Sequence, residues 1–358
     1  MDRGNFKYQL KLFMSGVLNQ RWGILPMFKL LVLLLLAVPA VKAGAQQAAD
    51  KPAAPAILPG KGASEFDFFY AGEAKDRKMY IVRNGKITWS YIDTLGRGEI
   101  SDAVLMKNGN VLFAHQFGIT LIDKNKKVLW NYDTPKNHET HTAQPIGTDH
   151  VVFIQNGDTA RLFVMNIKTN TIEKQFTLQT KGTGTHGQFR HARLTQDGNI
   201  LVAHMDLGKI REYDINGNQL LSIDMPGVWS VEPLKNGNIL ACGHEGHKTS
   251  FAREVNRKGE MVWEYMMSDM PGYKFPEPQI ATRLANGNTL INNWFNQWDS
   301  KPDPGNLQVQ AIAVTPDKKV VWALRSWSAP LNLGPSTIIQ LLDDANAITE
   351  QVHFGNIK

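Results

Sequence analysis

The chain has 358 residues, 42% of them hydrophobic and 20% charged, with a formal net charge of +6 and a single cysteine, Cys242. This is an ordinary globular composition with enough length for a sizeable core, in one large all-β domain or two smaller ones, and it excludes an internal disulfide. The first 45 residues hold six Lys/Arg and one acidic residue, leaving 33 basic against 32 acidic side chains, a net +1; without a clustered run of Lys/Arg, no nucleic-acid partner is expected.

Residues 1–45 read as a secretory signal peptide. Lys29 precedes an uncharged stretch from Leu30 to Val41, followed by Ala43-Gly44-Ala45. That stretch is too short to span a membrane. Arg3, Lys7, Lys11 and Arg21 make an unusually long basic lead, so Met27 is an alternative start. The expectation is an exported, soluble protein, periplasmic or secreted, with no membrane anchor after cleavage. It is not a lipoprotein, because the cleavage region has no cysteine. Residues 46–64, rich in Ala and Pro, read as a flexible linker, and 65–358 as a single domain.

The domain repeats. "DAVLMKNGNVLFAH", "HARLTQDGNILVAH", "SVEPLKNGNILACG" and "IATRLANGNTLINN" align as hairpins with Asn-Gly or Asp-Gly at the turn, and "TAQPIGTDHVVFIQ" is a looser copy. A second signal supplies six units, with Trp89, Trp130, Trp263 and Trp322 in equivalent places, Leu221 substituting in one and Lys174 in the most degenerate. Short strands repeating every 40 to 50 residues predict an all-β, six-bladed β-propeller of four-stranded antiparallel blades. The first Trp unit lacks a hairpin strand, and "STIIQLLDDANAI" lacks a Trp unit. The C-terminal strand is therefore predicted to complete the N-terminal blade, closing the ring and removing exposed sheet edges. The repeated Trp residues read as packing between blades.

Strand alternation then selects candidates on the face opposite the Asn-Gly turns. Asp102, Thr142, Gln144, His191, Arg193, Ser230, Glu232, Thr282 and Gln340 are predicted to point toward the central channel. His115, Gln155, His204, Asn293 and His244 emerge on the same face, with His138, His141, His186 and His247 in its loops. His150 and His353 do not fit the pattern. The longest loops add Trp294, Trp298, Trp327, Tyr273 and Phe275 near Arg325. The candidate catalytic set is His191, His204, His115, His244, Glu232 and Asp102, with His191 and His204 the first choices, since imidazoles titrate near neutrality and neighbouring charges tune them. Arg193, Arg325, Trp229, Gln279, Trp294, Trp298, Trp327 and His141 form the candidate substrate-binding set. No cofactor is expected. A divalent metal is compatible with His115, His191, His204 and His244, although no HExxH-like or Cys/His spacing is present.

The units "NGNVLFAHQFGITLIDKNKKVLWNYD" and "EVNRKGEMVWEYMM" resemble repeats of the PQQ-like propeller superfamily, and more closely those of bacterial arylsulfotransferase-like six-bladed propellers, over residues 66–343. That resemblance implies a transiently sulfated histidine assisted by further His and Arg, for which His115, His191, His204, His244 and Arg193 are candidates. Quinone-dependent dehydrogenases of the superfamily typically use adjacent cysteines, so with Cys242 alone PQQ is not expected. Secreted polysaccharide lyases and some glycosidases also use propellers with His-based sites. The leading expectation is a monomeric, carbohydrate-active lyase or glycosidase for an anionic sugar, with a small-molecule or oligosaccharide ligand. The alternatives are sulfuryl transfer through a histidine and a non-catalytic propeller that binds glycan or protein.

Overall fold

The computed structural model describes residues 57–72, 77–94, 96, 98–182, 184–246, 249–269, 273, 275–294 and 308–344. The chain divides into two compact units, Met1–Asp50 and Lys51–Lys358, and every described residue belongs to the second. His247, Trp298 and His353 lie outside the described residues.

The described strands form six four-stranded antiparallel sheets, the blades of a propeller. Blade one contains β1 (Phe68–Ala71), β2 (Lys78–Arg83) and β3 (Lys86–Ile92). Blade two contains β4 (Asp102–Leu105), β5 (Val111–Ala114), β6 (Gly118–Ile122) and β7 (Val128–Asp133). Blade three contains β8 (Glu139–Ile146), β9 (His150–Asn156), β10 (Arg161–Asn166) and β11 (Thr171–Thr177). Blade four contains β12 (Phe189–Leu194), β13 (Ile200–His204), β14 (Lys209–Tyr213) and β15 (Gln219–Asp224). Blade five contains β16 (Val228–Pro233), β17 (Ile239–Glu245), β18 (Thr249–Val255) and β19 (Met261–Met266). Blade six contains β20 (Glu277–Arg283), β21 (Thr289–Trp294), β22 (Ala311–Val314) and β23 (Val320–Leu324). The last strand, β24 (Ile338–Leu341), lies innermost in blade one, antiparallel to β1 with Gln340 opposite Phe69. The C-terminal strand thus completes the N-terminal blade.

The Asn-Gly and Asp-Gly turns form because glycine adopts positive φ without a Cβ penalty. Gly109, Gly198, Gly237 and Gly287 have φ of 86°, 78°, 86° and 87°. Each donates its N–H back to the carbonyl three residues earlier, as Gly109 does to Met106 at 2.9 Å. The core is layered between blades: Ile154, Leu162 and Val164 of blade three, for example, pack against Phe189, Leu194 and Val202 of blade four.

Three of the repeated tryptophans fasten a blade to its neighbour. Trp89 donates its indole N–H to Lys124 O in blade two (3.1 Å), Trp130 to Asn170 Oδ1 in blade three (3.0 Å) and Trp263 to Pro316 O in blade six (2.9 Å). Trp322 donates instead to Gly62 O at 2.8 Å, and its ring meets Phe66 edge-on, so the end of the Ala/Pro-rich lead-in lies against blade six.

An innermost strand has one ladder edge facing the channel, and its backbone groups need other partners. Polar side chains of the preceding blade supply them in one rotational sense. Gln340 makes a paired bond with the N–H and carbonyl of Leu105, each at 3.0 Å. Asp102 accepts from Ala143 N (3.2 Å), Gln144 from Leu194 N (2.6 Å), and His191 Nδ1 donates to Val231 O (3.0 Å). Glu232 accepts from the Thr282 hydroxyl and the Arg283 backbone. Residues that alternation selects as channel-facing thus also staple the ring.

Candidate functional site at the channel mouth

Among the inner strands, simple alternation fails at their start. In β8 the register slips between Thr140 and Thr142, in β12 between Phe189 and His191, in β16 between Val228 and Ser230, and in β20 between Pro278 and Ala281. Such a bulge adds a residue without a cross-strand partner and re-aims its side chain. The residues inserted in the first three are His141, Arg190 and Trp229, and Gln279 lies in the fourth. The same device thus recurs in four successive blades at the channel mouth.

His141, Arg190 and Trp229 meet there with groups from neighbouring loops. His141 Nε2 and His186 Nδ1 each donate to Glu139 Oε2 at 2.8 Å, and Gln116 donates to Glu139 Oε1 at 3.0 Å. Burial alone would raise the Glu139 pKa, but the hydrogen bonds from His141 and His186 outweigh it and hold the carboxyl well below the usual carboxylate range. With those protons committed, the other ring nitrogens, His141 Nδ1 and His186 Nε2, carry lone pairs. Both face the Arg190 guanidinium, which donates to His141 Nδ1 at 3.0 Å, to His186 Nε2 and to Glu99. Ser101 donates to Glu99 at 3.1 Å. The Arg190 guanidinium lies 5.2 Å from the Trp229 ring centroid, and His244 packs against the same indole at 5.3 Å. His186 keeps 54% of its side-chain surface exposed, whereas Glu99, His141 and Arg190 are buried.

Below the mouth, Arg193 grips Asp102 with both guanidinium nitrogens, Nη1 to Oδ2 at 2.8 Å and Nη2 to Oδ1 at 2.9 Å. Thr142, from the blade between, donates to Asp102 Oδ2 at 2.9 Å. A cavity of about 50 Å³, room for a few ordered waters, lies beside this pair and is lined by His191, Arg193, Glu232, Thr282 and Gln340 among others. Burial pushes the Glu232 carboxyl up to about 7, against the lowering influence of Thr282 and Arg193.

The remaining candidates lie apart from the cluster. His204 is fully buried between Phe189 and Tyr213, whose hydroxyl is 2.9 Å from its Nε2, and burial drives its pKa down to about 3. His115 is buried and donates to the Thr120 hydroxyl at 3.1 Å, and burial lowers its pKa despite nearby Asp93. Trp294, Tyr273 and Phe275 are buried, Trp327 is half-buried with its N–H on Gln308 O at 3.1 Å, and Arg325 lies near Tyr273. Gln279 is buried at its bulge, and Glu277, opposite Trp294, is pushed up to about 7 by burial. Ser230 faces Cys242 at 3.1 Å, and burial pushes that thiol up to about 12.

The structure therefore brings His141, Trp229 and His244 together around Arg190, His186, Glu99 and Glu139. The alternation rule did not find Arg190 because a bulge shifts the parity above His191. Glu99 and Glu139 lie outside the aligned hairpins; Glu139 had a signal in the run "HETH", which puts a carboxylate between His138 and His141, and Glu99 had none.

No family model matches the chain, and no curated protein matches it. Among solved structures it is similar to a protein of unknown function from Bacteroides caccae, with TM-score 0.66 and 23% identity over 76% of this chain and 98% of that one. It also aligns with a virginiamycin B lyase from Staphylococcus aureus (TM-score 0.49, 14% identity, 75% of this chain and 87% of that one). A third match is the WD40 propeller domain of Doa1 (TM-score 0.48, 14% identity, 63% and 71%). These likenesses concern the fold.

Proposed function

We propose that the protein is an exported, carbohydrate-active enzyme of the arylsulfotransferase-like propeller type that acts on an anionic sugar at the channel mouth. The observation that carries this reading is the exposed His186, whose Nδ1 donates to Glu139 while its Nε2 meets Arg190 beside the Trp229 face. An indole face suits the C–H face of a sugar ring, and a guanidinium suits a carboxylate or sulfate.

On a uronate the arrangement supports β-elimination. Arg190 exchanges Glu99 for the substrate carboxylate and stabilises the charge that develops on it. His186 Nε2 takes the proton from the carbon bearing that carboxylate, and Glu139 stabilises the resulting imidazolium. The electron pair left behind forms the carbon–carbon double bond as the glycosidic C–O bond breaks, and the departing oxygen takes a proton from water. Arg193 is not the partner assigned to the anion, because Asp102 occupies both ends of its fork.

The test is to incubate the protein with uronate-containing oligosaccharides and an aryl sulfate, following unsaturated-sugar absorbance, reducing ends and phenol release. Absorbance gain abolished in His186→Ala supports elimination. Phenol release instead transfers the assignment to sulfuryl transfer through the same histidine. Glycan binding with silence in all three assays leaves a non-catalytic binding module.

A further inference from the structure

We infer that Glu99, His141 and His186 form a divalent transition-metal site that Arg190 occupies in the conformation described above. The inference rests on the proposed sugar chemistry and assigns a Lewis acid to the same mouth; with the ion bound, His186 Nε2 is a ligand, and the proton falls to another base. One ligand atom from each residue falls within 4.8 Å of the other two. His141 Nδ1 and Glu99 Oε1 are 3.1 Å apart, close to the separation of about 3.3 Å between neighbouring ligands of a tetrahedral ion with metal–ligand bonds near 2.0–2.1 Å. The two imidazole rings stand nearly perpendicular, 86° apart with centroids 5.1 Å from each other. The third ligand has to move in by up to about 1.5 Å to reach that ligand separation. His186 is the half-exposed member of the set and the one that would move.

Two further features point to a metal ion. The first lies behind the ligands: both histidines donate their other ring N–H to Glu139. A carboxylate that fixes the tautomer of a ligating imidazole is the usual outer support of a metal site, and here one carboxylate serves two ligands. The second is the cation already there: the Arg190 guanidinium donates to Glu99, to His141 Nδ1 and to His186 Nε2, the position an ion would take. A divalent ion in its place releases Arg190, whose guanidinium already lies 5.2 Å from the Trp229 ring centroid, to meet the substrate. Two His and one Glu leave an open coordination position, and mixed imidazole and carboxylate donors suit zinc or manganese.

The experiment is titration of the chelator-treated protein with Zn²⁺ and Mn²⁺ alone by calorimetry, with elemental analysis after dialysis. About one equivalent per chain is expected. His141→Ala and His186→Ala should lose it, Glu139→Gln should weaken it by about 10–100-fold, and Arg190→Met, which empties the position, should bind as tightly or more tightly. His150→Ala, a histidine paired with Glu173 outside the cluster, serves as the control and should bind like wild type. Circular dichroism establishes that each variant is folded. Wild type binding no more metal than His186→Ala overturns the inference, as does Arg190→Met losing affinity. Because binding is read without substrate, a metal-binding but catalytically silent protein overturns the sugar reading alone. An active protein that takes up no metal in the titration overturns this one alone.

Discussion

Arg193 and Asp102 meet fork to fork across the inner strand of blade three, with nitrogen–oxygen distances of 2.8 and 2.9 Å and both side chains buried. Removing one partner strands a buried charge, at a cost of about 3–5 kcal/mol. Arg193→Met is expected to lower stability by that order in urea unfolding. The double variant Arg193→Met/Asp102→Leu should recover much of the loss, and a double variant no better than the single one would show that the pair is not the cause.

His204 should contribute to acid instability. Its folded pKa, about 3 through burial, lies below the ordinary value of 6.5, so between those values the unfolded chain binds the extra proton. Stability present above pH 6.5 is lost as pH falls toward 3. His204→Phe should flatten unfolding free energy against pH in that window, by up to about 1.4 kcal/mol per pH unit. An unchanged slope would contradict a neutral, buried imidazole.

Glu232 works in the opposite direction. Burial raises its carboxyl from 4.5 to about 7, so the folded chain holds the proton more tightly, and stability present below pH 4.5 is lost as pH rises through 7. Glu232→Gln should therefore gain on wild type at pH 8 relative to pH 4, measured by urea unfolding at both values. Equal differences at the two pH values would refute the shift.

The site assignment separates two groups of histidines. His186→Ala, at a half-exposed loop position, should retain the wild-type melting temperature and lose about 10²–10⁴-fold in kcat with the substrate that the panel identifies. His191→Ala removes a bond to Val231 O in the ring staple and should lower the melting temperature more than it lowers kcat. The reverse pattern would return the chemistry to the deeper channel.

Much of the architecture was legible in sequence because it rests on local rules. Asn-Gly turns need a glycine at positive φ, the repeated Trp marks an outer strand, and an unpaired strand at each end of the repeat implies ring closure. His244 was legible as a candidate from the repeat register and His141 from its place in a loop of the same face, and Trp229 was among the candidates for binding substrate. Arg190 was not. Alternation assumes an unbroken ladder, and the register slip between Phe189 and His191 turns Arg190 toward the mouth.

By itself, then, the sequence determined the blade count, the strand order and the closure of the ring, because hydrophobic period and turn chemistry act over a few residues. Tertiary structure decided which histidines meet. His186 and His141 converge on Glu139 while His204 is enclosed by Phe189 and Tyr213. That choice depends on bulges and loop closure between blades, where contacts join residues tens of positions apart and no local period records them.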